Sequence, residues 1–255
     1  MSASSVFLER EGGLVRMTLD HPPLNVLDIP MMEEMADVLG RLVGDPEVSV
    51  LVITGAGRAF CAGVDVADHT ADRVSKMLEI FHAVIERMRA LPFPVVAAVN
   101  GAALGGGCEL LLAADIVLAR SGAKIGQPEI RLGVFPPVAA VFMPRLIGLQ
   151  ATMDLILSGR TVIAEEAHEL GLVSRVIPAD DFQRDVEAYV QGLASLSAPV
   201  LRLTKRAVLE GLDVPAGTAL KQAESLYLNE LMALEDPHEG IAAFVGNRQP
   251  TWKGA

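Results

Sequence analysis

Asn100-Gly101-Ala102-Ala103-Leu104-Gly105-Gly106-Gly107-Cys108-Glu109 joins an apolar, strand-like run, Pro94 to Val99, to a helix-like run from Glu109 to Ala114. Three consecutive glycines cost backbone entropy, so they belong where a Cβ would clash or φ must be positive. At a strand-to-helix turn they leave backbone N–H groups bare at the positive end of a helix. An anion or a developing oxyanion fits there, and Glu109 sets a carboxylate in the first turn beside it. The plain alternative is a tight turn followed by a favourable N-terminal acid.

Outward from this turn, short apolar runs leading into glycine-bearing turns recur from Leu51, Val95 and Ile116, a weak internal repeat. The connections favour parallel strands with helices between them. Upstream, Val6 to Glu9 and Val15 to Leu19 flank Gly12-Gly13 as a β-hairpin, and His21 to Leu27 reads as a proline-broken loop. Asp28 is the expected N-cap of a helix carrying Met32, Met35, Ala36, Leu39 and Val43 at helical spacing. Val48 to Thr54 reads as a buried strand. Its following Gly55-Ala56-Gly57 lacks the third glycine and the directly following helix of a dinucleotide fingerprint. Val66 to Thr70 reads as a mobile loop and Val74 to Leu91 as a helix.

Downstream, Ile116 to Ala119 is a strand and Ser121 to Gln127 a loop. Pro136-Pro137 interrupts the chain before helices at Val138 to Ile147 and Thr152 to Leu157. Thr161 to Leu170 holds a short helix and Val173 to Ile177 a strand. Everything from Phe182 onward reads as helix. The change from alternating α and β to helix alone puts a domain line near Ser195 to Pro199, dividing 1–197 from 198–255.

The 255 residues, 51% hydrophobic with 4% aromatics and 23 glycines, suit an α/β core of close-packed small-residue layers. A formal net charge of −11 argues against nucleic acid and anionic membranes as partners, though not against a small anionic ligand. No run approaches the ~18 apolar residues of a membrane helix. Met1 to Glu11 lacks the basic end and apolar block of a signal peptide, so a cytoplasmic location is expected. Cys61 and Cys108 form no ligand cluster and read as free thiols, and no metal motif occurs.

A second stretch, Gly126-Gln127-Pro128-Glu129, adds a carboxylate at the end of a neighbouring αβ unit. Such edges of parallel sheets collect functional groups. Two carboxylates facing one space can hold a water, and burial with mutual repulsion would raise at least one pKa, giving a base and an acid. That equipment suits adding water to an activated double bond.

These stretches, with Leu24-Asn25-Val26-Leu27, Phe60-Cys61-Ala62-Gly63-Val64-Asp65, Ala98 to Glu109 and Glu239 to Phe244, resemble the crotonase superfamily, the enoyl-CoA hydratase/isomerase family. The resemblance spans nearly the whole chain. It implies a spiral of ββα turns with a C-terminal helical trimerisation region, assembled as a trimer or a dimer of trimers. It implies an acyl-CoA thioester as substrate, with coenzyme A as part of that substrate and no separate cofactor. By motif, the backbone N–H groups of Val64 and Gly106 would form the oxyanion hole. Glu109 would act as base on water and Glu129 would supply the proton. Asn25, Val26, Ala62, Asp65, Val66, Phe135 and Pro136 would line the CoA and acyl site. Tyr227 and Phe244 would line the CoA site of a neighbouring copy, and Arg248 would contact CoA from the C-terminal region.

Two departures from the family pattern stand out. Gly133-Val134-Phe135-Pro136-Pro137-Val138-Ala139-Ala140 replaces a glycine-rich segment, giving a stiffer acyl wall similar to that of cyclohexa-1,5-diene-1-carbonyl-CoA hydratases. That similarity implies a cyclic dienoyl substrate, with straight-chain hydration and double-bond isomerisation as the alternatives. Val66-Ala67 stands where a CoA-phosphate lysine is common, leaving Arg58, Arg248 and Lys253 as candidates. A binding or scaffolding subunit is a further reading, though relatives of that kind generally lose a catalytic acid. Cys108 lacks a His–acid partner, and His69, in the loop near the pocket, reads as an exposed histidine, with a substrate contact as the alternative.

Overall fold

In the computed structural model, which describes residues 4–254, β1 (Val6–Glu11) and β2 (Leu14–Leu19) pair antiparallel around Gly12-Gly13, with Val6 opposite Leu19. The signal-peptide reading of Met1 to Glu11 extends into residues 1–3, outside the described range. Asp28 caps α1 (Ile29–Val43), its Oδ1 accepting the Met31 N–H at 2.9 Å, with Pro30 in the first turn. Met32, Met35, Ala36 and Leu39 are buried as the spacing predicts. Val43, at the end of the helix, is exposed.

The chain then repeats one unit three times. β3 (Val50–Gly55) is followed by the short β4 (Ala59–Cys61) and by α2 (Val74–Ala90). β5 (Val95–Val99), β6 (Ala102–Leu104) and α3 (Gly106–Ala113) repeat it, and β7 (Ile116–Arg120), β8 (Lys124–Gly126) and α4 (Pro137–Ile147) repeat it again. There follow α5 (Leu149–Ser158), β9 (Thr161–Ile163), α6 (Ala164–Leu170) and β10 (Arg175–Ile177). The chain ends in α7 (Phe182–Ala194), α8 (Ala198–Gly211), α9 (Ala216–Asn229) and α10 (Glu235–Val245). In each repeat the first strand joins a six-stranded sheet, β1-β2-β3-β5-β7-β10, and the second a four-stranded sheet, β4-β6-β8-β9. From β2 onward the neighbours of the larger sheet run parallel.

Three strands depart from the sequence reading. β6 lies in the presumed turn, β8 in the presumed loop 121–127, and β9 just ahead of α6, the short helix expected within 161–170. Each is three residues long, too short to display an alternating pattern. Val66–His69, read as a mobile loop, is a 3₁₀ turn capped by Asp65, whose Oδ1 accepts the Ala67 N–H at 2.9 Å.

β5 is buried along its whole length because both faces of its sheet are covered. The main core, with Met17, Leu51, Ile53, Phe60, Val95 and Val99, lies between the two sheets and helices α1 to α4. On the opposite face, Phe182, Val186 and Val190 of α7 pack on Val50, Val52, Val96 and Leu118. Lys205 ties α8 to this body, its Nζ donating to Asp115 Oδ2 at 2.6 Å and to the Phe93 carbonyl at 3.0 Å. Among the described residues, α8 to α10 bury only Leu226, Asp236 and Ala243, while Leu212, Leu220, Tyr227, Ile241 and Phe244 stand exposed. Among the described residues, no helix is long and apolar enough to cross a membrane.

Candidate active site

Gly105, Gly106 and Gly107 divide the work of the turn. Gly105 has φ +52°, a left-handed conformation that disfavours a side chain, and its N–H donates to the Gly126 carbonyl at 2.9 Å. Gly106 and Gly107 have helical backbone and open α3, so the helix starts three residues before the sequence reading put it. They are glycines for lack of room. A Cβ on Gly106 would come 2.7 Å from Val64 Cγ2, and one on Gly107 would overlap the Cys61 carbonyl oxygen. The consequence is close approach of the β4 loop to the start of α3, with Val64 N 3.4 Å from where a Gly106 Cβ would stand.

Residues 24–27 hold that loop in place. Ala62 N–H donates to the Leu24 carbonyl, Leu27 N–H to the Gly63 carbonyl, and Asp65 N–H to the Leu27 carbonyl. Among the described residues, the N–H groups of Val64 and Gly106 have no protein acceptor. Asn25 is 2% exposed, and its Nδ2 donates to the carbonyls of Ala56, Ala59 and Phe60. That side chain is committed to the scaffold rather than turned toward a ligand.

Glu109, in the first turn of α3, is 3% exposed and reaches the start of α4, where its Oε1 accepts the Ala139 N–H at 2.9 Å. Burial pushes its pKa up to about 7 against the pull of that hydrogen bond, and the charge of Glu129 adds to the rise. Glu129 opens the 3₁₀ turn Glu129–Leu132, and burial pushes its pKa up to about 7 as well. Its Oε1 sits close against Gly105, 2.8 Å from where a Cβ there would be. Gln127 is fully buried. With its amide nitrogen toward Glu129 it donates to Oε1 at 3.0 Å and Oε2 at 3.2 Å, the orientation that satisfies both groups.

Glu109 and Glu129 line one cavity of about 400 Å³, whose wall includes Ala62, Val64, Val66, Gly106, Phe135 and Pro136. Val26, Asp65, Tyr227, Phe244 and Arg248, like Asn25, lie outside that wall. Asp65 caps its 3₁₀ turn, Val26 is half-buried, and Tyr227 and Phe244 are exposed on α9 and α10. Arg248 pairs with Glu239 through two bonds of 2.6 and 2.8 Å. Lys253 pairs with Glu235 at 2.6 Å, while Arg58 has no ion-pair partner among the described residues.

Sequence reasoning missed the contribution of α2, whose Val74, Met77, Leu78 and Phe81 line the same cavity. Their helical spacing marked a buried face and could not say that part of that face borders a void. His69, which the sequence set near the pocket, lines the cavity and is half-buried rather than exposed, with Nδ1 3.0 Å from the Asp65 carbonyl. Both cysteines are free and buried, and burial pushes the Cys61 thiol up to about 12. A buried and a half-buried carboxylate with raised proton affinity, beside two unpaired backbone donors, can bind a polarised carbonyl and move protons next to it.

The paired sheets and repeated ββα unit define a crotonase-type α/β spiral. The structure superimposes on the enoyl-CoA hydratase of Bacillus anthracis with a TM-score of 0.94 at 32% identity, covering 99% of this chain and all of that one. The sequence is 35% identical to the cyclohexa-1,5-dienecarbonyl-CoA hydratase of Thauera aromatica, over 99% of this chain and 97% of that protein. It is 34% identical to the 2,3-dehydroadipyl-CoA hydratase of Escherichia coli K12, over 98% and 99%. Residues 9–255 match the enoyl-CoA hydratase/isomerase family, to which the chain belongs. It is an enzyme of the family's hydro-lyase type.

Proposed function

We propose that the protein adds water to an α,β-unsaturated acyl-CoA thioester, with Glu109 as base on the water and Glu129 as the proton donor. The observation that carries this reading is the placement of both raised-pKa carboxylates on one cavity with the free N–H groups of Val64 and Gly106. Those two amides would bind the thioester oxygen, polarise the conjugated system and stabilise the enolate. One such donor contributes about 3 kcal/mol in related acyl chemistry. With both pKa values near 7, the state holding one proton between the two carboxylates is well populated at neutral pH, so base and acid coexist.

For the acyl group we propose a cyclic diene, cyclohexa-1,5-diene-1-carbonyl-CoA. Pro136 and Pro137 stiffen the wall beside Glu109, and a pre-shaped pocket loses little entropy when it closes on a flat ring. The Thauera aromatica relative, named for that substrate, supports the reading. Hydroxide would add at the β-carbon and the proton at the far end of the diene, leaving one double bond conjugated to the thioester. Arg58 is the favoured contact for the CoA phosphates, since Arg248 and Lys253 are already paired. The exposed apolar residues of 198–255, Tyr227 and Phe244 among them, would be covered by neighbouring copies in a trimer or dimer of trimers.

The test is a panel of thioesters followed by absorbance and mass. The cyclic diene should be turned over with the highest kcat/KM. Preference for crotonyl-CoA would select straight-chain hydration, and double-bond migration without water uptake would select isomerisation.

A further inference from the structure

Helix α4 begins without a cap of its own. Pro136 stands at the N-cap with neither a side-chain acceptor nor an N–H, and Pro137 at the first helical position also lacks an N–H. The first donors of the helix are therefore the amides of Val138 and Ala139, the pair that an N-cap side chain ordinarily binds. The second of them is met from a different element. Glu109 of α3 accepts the Ala139 N–H on Oε1 at 2.9 Å, and the neighbouring Val138 amide adds a smaller pull toward the ionised carboxylate. Ala139 is fully buried, so no water competes for that bond.

We infer that Ala139 is a positioning residue for Glu109: its amide fixes the carboxylate and, with the Val138 amide beside it, holds it in the ionised form that a base requires. This rests on the proposed role of Glu109 as base. Burial alone drives the carboxyl toward its neutral form, which cannot take a proton from water. The two amides, at the positive end of an eleven-residue helix, oppose that shift. Other titratable groups face the same space. Glu129 lies across the cavity, His69 lines it, and Cys108 is a buried thiol whose pKa is raised first by burial and further by both glutamates. Of these, Glu129 opposes ionisation of Glu109, which leaves the α4 amides as the named groups that favour it. The arrangement is reciprocal. A neutral Glu109 is a weaker acceptor, so the first turn of α4 senses the protonation state of the base.

The test replaces one N–H. Ala139→Pro keeps a Cβ and a helix-compatible φ while deleting the donor, and Ala139→Ser keeps the donor. The acid limb of the kcat/KM profile should move up by about one pH unit in Ala139→Pro, a loss of roughly tenfold at pH 6 that shrinks toward pH 9. Ala139→Ser should keep the parent midpoint. A purely structural role would lower activity equally at every pH with the midpoint unmoved, and that result overturns the inference. A second measurement uses the unaltered sequence. The Ala139 amide resonance should titrate with a midpoint near 7, and the titration should vanish in Glu109→Gln. A resonance flat from pH 5 to 9 overturns the inference independently of Ala139→Pro. Full activity in Glu109→Gln would sink the base assignment alone, because the amide titration would still report whether the two groups are coupled.

Discussion

Replacing Glu109 by Gln should abolish most activity and yet stabilise the protein above neutral pH. The folded state holds the Glu109 carboxyl at a pKa of about 7 against 4.5 for an unburied glutamate, so between those values the native chain binds more protons than the unfolded one. Its stability therefore falls as pH rises through that window and levels off above it. A rise of that size corresponds to about 3 kcal/mol, at ~1.4 kcal/mol per pH unit, which the folded protein forgoes at pH 8 because it must carry a charge where burial resists one. A glutamine is neutral at every pH and can still accept the Ala139 N–H through its Oε1. Glu109→Gln should therefore match the parent to within about 1 kcal/mol at pH 5 and exceed it by about 3 kcal/mol at pH 8. For a chain of this size that is a rise in Tm of roughly 6–12 °C. The assay is thermal unfolding of both proteins at pH 5 and pH 8, with thioester hydration measured on the same samples. An equal Tm difference at the two pH values, or a Gln variant that is less stable at pH 8, would refute the reasoning.

Three further outcomes follow from the same geometry. Gly106→Val should assemble normally but lose thioester turnover, since its side chain would push into Val64 Cγ2 and Phe81 beside the two free amides; Gly107→Ala should instead fail in folding, because its Cβ meets the Cys61 backbone. A soluble-yield assay with circular dichroism separates the two. Asn25→Ala should cost about 3 kcal/mol in denaturant unfolding, since it takes a donor from the Phe60 carbonyl, leaves Ala59 with the longer Asn100 bond alone, and sets an alanine at φ +56°. The pH profile of kcat/KM should be bell-shaped with its maximum near 7, and replacing Glu129 by Gln should remove the limb that Glu129 supplies while lowering kcat by about 10²-fold.

The sequence was most legible where a periodic pattern coincided with a chemical punctuation mark. Asp28 and Pro30 announce α1, Gly12-Gly13 announces the hairpin, and the all-apolar β5 announces a strand covered on both faces. The second sheet was almost invisible, because β6, β8 and β9 hold three residues each and their identity comes from pairing partners distant in sequence. The start of α3 was misread for a physical reason. Glycine is a poor helix former, yet Gly106 and Gly107 are helical because only a residue without a Cβ can pass Val64 and Cys61 at that distance. Motif resemblance found Glu109 and Glu129 but could not tell a ligand contact from a brace. Asn25 belongs to a matching stretch, and its amide is committed to backbone groups, the His21 N–H on Oδ1 and three carbonyls on Nδ2. Arg248 was weighed as a phosphate contact and is neutralised by Glu239, which it holds well below the usual carboxylate range.

Asp68 gives the 3₁₀ turn at 66–69 a kinetic meaning. Its buried carboxylate accepts the Ile29 N–H at 2.9 Å and pairs with Arg73 at 2.6 Å, so the segment carrying Val66 and His69 is bolted to the start of α1 and to the residue before α2. These two contacts of Asp68 brace the segment, so ligand entry past it would be governed by the width of the mouth rather than by a hinge in 66–69. Selectivity would be changed by residues that alter the outline of that mouth, Val66, His69 and Phe135, rather than by residues that alter a hinge.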